Sequence, residues 1–209
     1  MPWDGTELRV ADVSNGKLSN VRVLAGNVET SCLSPEWGPN NELYFICDQS
    51  GWWNLWQGDL SGKLTHLVEE ASEWGFPLWQ LGMRALSVLP DGHVLSVHGA
   101  VDARKIVRVH PQTRAMQDLN SELTDFKPSL SVSNSKAYAV GASGKVVSQL
   151  IEIDLLSWQV CDVVTSIESP VDASYFPKQH EIRAVRADGR KVFAILHSAH
   201  HPDLEPSEK

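Results

Sequence analysis

Long hydrophobic runs are missing from this sequence: no apolar stretch approaches the roughly 18 residues that a membrane helix needs. Cysteine is scarce as well. Cys32, Cys47 and Cys161 cannot all pair within one chain, and their spacing fits no zinc motif. Buried, reduced thiols in a cytoplasmic protein are therefore the expectation. Positive charge is in deficit, with 18 Lys and Arg against 26 Asp and Glu and a net charge of -8. That balance argues against a nucleic-acid or anionic-membrane surface, because both need clustered basic side chains. The opening Met1-Pro2-Trp3-Asp4-Gly5 lacks the basic end and apolar stretch of a signal peptide. Helical periodicity is nearly absent too, and only a weak trace runs from Leu67 to Ser72.

What is present is apolar content, at 42% of 209 residues, and it suffices for a buried core. It is arranged in short runs rich in β-branched and aromatic residues, each bounded by turn formers. Glu42 to Cys47, Val94 to His98, Lys105 to His110, Ala137 to Val140, Val147 to Asp154 and Val192 to His197 are such runs. Turn clusters such as Ser14-Asn15-Gly16, Pro90-Asp91-Gly92 and Ala187-Asp188-Gly189 separate them. Asn-Gly and Asp-Gly pairs readily take the positive φ of tight hairpins. The pattern predicts a β meander rather than alternating strands and helices.

A repeat sharpens this reading. Leu8-x-x-x-Asp12, Leu55-x-x-x-Asp59, Ile106-x-x-x-His110 and Leu150-x-x-x-Asp154 recur at intervals of roughly 45 to 50 residues, a period typical of β-propeller blades. The predicted fold class is all-β, an incomplete β-propeller of about three and a half four-stranded antiparallel blades. A partial propeller is expected over residues 1–175, with a half-blade at 6–24 and blades at about 30–68, 79–119 and 127–164. A hairpin and tail follow at 176–209. Three and a half blades are too few to close a ring, so the chain is expected to be part of something larger.

The residues also carry a family likeness. Met1-Pro2-Trp3-Asp4-Gly5-Thr6-Glu7-Leu8 is similar to a stretch in the middle of the propeller of bacterial prolyl-oligopeptidase-family serine peptidases, in the dipeptidyl aminopeptidase/acylaminoacyl-peptidase branch. Ser34-Pro35-Glu36-Trp37-Gly38-Pro39 resembles that group's blade opening, and Leu43 to Leu55 resembles the strand-loop-strand after it. Glu73 to Trp79 also has a counterpart. Phe176-Pro177, the final hairpin and Pro202-Asp203-Leu204-Glu205 resemble the approach to the family's hydrolase domain. The resemblance implies a substrate-gating propeller. It does not bring catalysis with it: the family's nucleophile sits in a G-x-S-x-G elbow, and Gly141-Ala142-Ser143-Gly144 lacks that spacing. No catalytic residue is therefore expected, and the chain is read as non-enzymatic.

No metal site or cofactor is expected either. Asp12, Asp59 and Asp154 stand before hairpin turns, where carboxylates cap backbone N–H groups, and in separate blades they cannot converge on calcium. His197, His200, His201 and Asp203 read as a solvated tail. The candidate contact residues are Trp52, Trp53, Glu73, Trp74, Phe76 and Trp79, on two loops that a propeller places on one rim. Burial between blades competes with a peptide- or protein-contacting role for these aromatics. Exposed blade ends point to a homodimer. The competing functions are a free-standing binding module and, with less support, a propeller enzyme such as a lactonase.

Overall fold

The computed structural model describes residues 4–100, 102–169 and 171–204. Met1, Pro2 and Trp3 of the first family-like motif and Glu205 of the last lie outside them. Every strand pairing within its sheets is antiparallel, and the architecture is an open propeller arc, as the sequence predicts. Strands β1 (Leu8–Ser14) and β2 (Lys17–Ala25) form a two-stranded ribbon. The next sheet has the order β3 (Cys32–Trp37), β4 (Leu43–Cys47), β5 (Asn54–Gly58), β6 (Leu64–His66). Another follows with β7 (Leu86–Val88), β8 (Val94–His98), β9 (Lys105–Val109) and β10 (Met116–Asp118).

The last large sheet departs from four simple strands. Its innermost strand is broken into β11 (Asp125–Phe126) and β12 (Ser131–Ser133), which pair with opposite ends of β13 (Lys136–Ala142). Strands β14 (Gln149–Asp154) and β15 (Gln159–Thr165) complete it. A separate hairpin, β16 (Gln179–Val185) and β17 (Lys191–His197), ends the strand order. Among the described residues the helical content is one 3-10 turn, Ala173–Tyr175, capped by Asp172 Oδ1 accepting from Ser174 N at 2.8 Å.

Sheet stacking explains the composition of the strands. All five residues of β4 are buried. Tyr44 and Ile46 face the large core shared by the three main sheets, whereas Phe45 and Cys47 pack on the opposite side with Ala25 and Cys32. A strand buried on both faces reads as a continuous apolar run, not as alternation. The repeat position shows the same dependence on neighbours. Leu55 and Ile106 are fully buried, yet Leu150 is 45% exposed, because in β14 Ile151 and Ile153 face the core and Leu150 points outward.

The repeated acids behave as local caps with one exception. Asp59 Oδ1 accepts from the N–H groups of Ser61 and Lys63, and Asp154 Oδ1 from those of Leu156 and Ser157. Asp12 instead accepts from Asn20 Nδ2 across its hairpin at 2.7 Å. Arg84 links the inner strands: its N–H donates to Pro128 O at 2.7 Å, and its guanidinium pairs with Glu36 at 3.2 Å.

The faint helical spacing at Leu67–Ser72 is an irregular loop, because Asn54 claims its backbone. The buried Asn54 amide donates to Glu70 O and Ser72 O at 3.1 Å each and accepts from Glu70 N at 3.1 Å. Removing it strands three backbone groups of a loop that must hold its shape. Asn54→Ala should cost about 3 kcal/mol, since each buried group left unpaired costs about 1–3 kcal/mol. Urea unfolding monitored by tryptophan fluorescence would measure this; a loss below about 0.5 kcal/mol would contradict it.

Candidate functional site

Two loops meet at one rim of the arc: the turn between β4 and β5, and the longer connection from β6 to β7. Reciprocal bonds join them. Trp74 N donates to Trp53 O at 2.7 Å, and Trp53 N donates to the Glu73 carboxylate at 3.0 Å. Gly75 permits this approach, because a Cβ there would sit 2.9 Å from the Trp53 side chain. The structure thus brings Trp52, Trp53, Glu73, Trp74, Phe76 and Trp79 into one region, but with unequal exposure.

Trp74 is fully buried and Phe76 nearly so, and both belong to the shared core. They shape the rim without presenting surface to a partner. Trp52 and Trp53 are half-buried, and Trp79 is 70% exposed. Trp53 and Trp79 line a pocket of about 440 Å3 together with Thr6, Cys32, Leu33, Pro77 and Leu78. Trp52 and Glu73 line a second pocket of about 440 Å3, bounded by Ser72, Gly99, Glu181, Arg183, Lys191 and Phe193. The first is lined mainly by apolar side chains, with Thr6 among them. The second mixes an aromatic wall with charges of both signs.

Burial pushes the Glu73 carboxyl above its ordinary value, although the bond from Trp53 N and the nearby Arg104 oppose the rise. Burial likewise lowers the Arg104 guanidinium, whose carbon lies 4.5 Å from the Phe76 ring centroid. A carboxylate held this way is a fixed acceptor for an amine or amide that enters the second pocket. The C-terminal hairpin supplies the far wall, and Glu181 N donates to Asp102 Oδ2 at 3.1 Å to hold it there. That contribution is not visible in the sequence, because Arg183, Lys191 and Phe193 lie more than a hundred residues from Glu73.

Sequence reasoning also misses a polar cluster beneath the rim. His98, at the end of β8, lies between two carboxylates: Nδ1 is 3.1 Å from Glu70 Oε2 and Nε2 is 2.9 Å from Asp118 Oδ1. Trp74 Nε1 and Ser72 Oγ each donate to Glu70 at 3.0 Å, and Lys105 Nζ donates to Asp118 at 2.8 Å. The His98 and Trp74 rings are 4.8 Å apart. Glu70 stands three residues before Glu73, and that spacing in a loop carries no signal of its own.

The fold is that of a propeller segment found within larger peptidases of known structure. Over its whole length the chain superposes on a puromycin-hydrolysing peptidase of Mycobacterium tuberculosis, with a TM-score of 0.91 and 28% identity, and spans 32% of that protein. A puromycin hydrolase matches over the full chain at a TM-score of 0.89 and 31% identity, again over 32% of its length. Prolyl oligopeptidase B from Galerina marginata shares the fold at a TM-score of 0.65 and 10% identity, over 93% of this chain and 27% of its own. The chain is a partial β-propeller of the prolyl oligopeptidase type, about a third of the length of the peptidases it matches. No protein-family model and no curated sequence matches it.

The cluster around His98 sets an acid dependence. Burial alone would raise Glu70 and Asp118. The hydrogen bonds that Glu70 shares with His98 and accepts from Trp74 and Ser72, and those that Asp118 accepts from Lys105 and shares with His98, outweigh it and leave both below the ordinary 4.5 and 3.8. A carboxyl lowered by folding adds stability above its unfolded value and loses it as pH falls through its folded value. Stability should therefore drop from about pH 5 downward. Replacing Glu70→Gln with Asp118→Asn should flatten that limb in denaturation curves measured across the pH range; an unchanged slope would contradict the assignment.

Proposed function

We propose that this chain is a contact and gating segment of a peptidase-type propeller, without catalytic groups of its own. The observation that carries the reading is the aromatic rim, where Trp52 and Trp53 separate two pockets and Glu73 faces one of them. Large aromatics beside a fixed carboxylate suit a peptide segment or a protein loop, whose apolar side chains fill the first pocket and whose amine or amide meets Glu73. The non-catalytic part is supported by Ser143. Its Oγ accepts from the N–H groups of Lys145 and Val146, so it caps a turn and is not activated by a base. Tryptophan fluorescence titration with short apolar peptides should show binding weakened about tenfold or more by Trp79→Ala, near 1.4 kcal/mol. The same peptides in fluorogenic form should not be turned over. Turnover abolished by a serine-directed inhibitor would overturn the non-catalytic reading.

We also propose that the arc is completed by a second copy of the chain. The ribbon β1–β2 exposes Val13, Leu18, Val21 and Val23, and the hairpin β16–β17 exposes Ile182 and Leu196 on the face opposite the one that lines the second pocket. Each is only two strands wide, half of a four-stranded blade. On this reading residues 176–209 form a unit distinct from the propeller of 1–175. A two-fold arrangement that sets the ribbon of one copy beside the hairpin of the other covers both apolar faces and closes without a filament. Light scattering after size exclusion should report a dimer at micromolar concentration; a strict monomer of 23.1 kDa would overturn it.

A further inference from the structure

Cys32 and Cys47 stand directly opposite each other on β3 and β4. The kind of cross-strand pair they form follows from the backbone. Cys32 N donates to Thr6 Oγ1 at 2.7 Å and Cys32 O accepts from the same hydroxyl at 2.6 Å, so both main-chain groups of Cys32 are turned away from β4. The adjacent pair, Ser31 and Asp48, carries the ladder bond instead, from Asp48 N to Ser31 O at 3.2 Å. Cys32 and Cys47 therefore form a non-hydrogen-bonded pair, with side chains on one face and Cα atoms about 4.5 Å apart, inside the roughly 4.4–6.8 Å range of disulfides.

The two sulfurs already interact. Contact with Cys47 and burial raise the Cys32 thiol above its ordinary value, and contact with Cys32 lowers that of Cys47. They are packed with Ala25 and Phe45, and Cys47 is only 2% exposed. Cys32, at 8%, forms part of the wall of the apolar pocket between Trp53 and Trp79. Gly26 keeps that wall thin: a Cβ there would lie 3.1 Å from Cys32 Sγ and would collide with Thr6 O. The pair thus has a solvent route through Cys32, while the third cysteine, the exposed Cys161, lies on β15 of another sheet.

We propose that Cys32 and Cys47 form a reversible cross-strand disulfide, made by exchange with a small organic disulfide that enters this pocket. In the first step Cys32 attacks one sulfur of the reagent as its proton passes to the neighbouring Cys47 thiolate; the Cys32–reagent bond forms, the reagent S–S bond breaks, and one thiolate leaves and takes up that proton, so that Cys47 is again a thiolate. In the second the Cys47 thiolate attacks Cys32 Sγ and expels the other half. The protein gives up two electrons and its two thiol protons, and one disulfide becomes two thiols.

The test uses the full chain with Cys161→Ser, so that only the two cysteines in question remain. Incubation with hydroxyethyl disulfide should reduce the thiols counted in denaturant from two to none. The mass should fall by two hydrogens, with a linked pair of peptides containing Cys32 and Cys47, and dithiothreitol should reverse the change. Two free thiols after exposure, or a mass raised by attached hydroxyethylthio groups, would overturn the proposal. Adding Cys47→Ser should halt the reaction at a mixed disulfide on Cys32. No adduct on a Cys47→Ser chain whose circular dichroism matches the parent would overturn the route through the pocket.

Discussion

A strand such as β4, buried along its whole length, cannot be satisfied by its own sheet. Hydrogen bonding to β3 and β5 leaves two apolar faces, and each must be covered by something else. Stacked sheets meet that requirement, and much of the structure follows from it. The core lies between blades, so its members come from different repeats: Ile46 and Leu55 from one, Leu95 and Ile106 from the next, Ile151 and Ile153 from the third. The exposed apolar residues of the β1–β2 ribbon and the β16–β17 hairpin are the same requirement left open.

The rim depends on this core at second hand. Buried Asn54 fixes the loop from Glu70 to Ser72, that loop sets the position of Glu73, and Glu73 in turn holds Trp53 N. Trp74 and Phe76 anchor the same segment from below, so Trp52, Trp53 and Trp79 are presented from a rigid base. Pre-organised aromatic surface loses little side-chain entropy when a partner docks. Rigidity at the rim and burial beneath it have one cause.

Strand positions were legible because apolar runs and turn pairs are local signals. The runs at Val94–His98 and Lys105–His110 became β8 and β9 almost to the residue. The break of the inner strand into β11 and β12 was not legible, since it depends on Pro128 and Ser129 meeting Arg84 of the preceding sheet. At the rim, sequence pattern could nominate Trp74 but not tell that it is fully buried, because the ring of His98 that packs against it comes from the next sheet. Asp12 shows the same limit on a smaller scale: the repeat suggested a turn cap, and the cross-strand Asn20 took the carboxylate instead. What the sequence concealed was long-range pairing.

The contact at Arg84 also has a mechanical meaning. Packed sheets of a propeller can shear along the axis when only side chains interlock, since one apolar surface slides over another at small cost. Here the main chain just before β7 is bonded to the broken strand of the next sheet, through Arg84 N to Pro128 O and the parallel bridge to Ser129, while the Arg84 side chain reaches back to Glu36 on β3. One residue thus acts as a pin through three neighbouring sheets near their inner edges. The inner edges of the three sheets are thereby held in step.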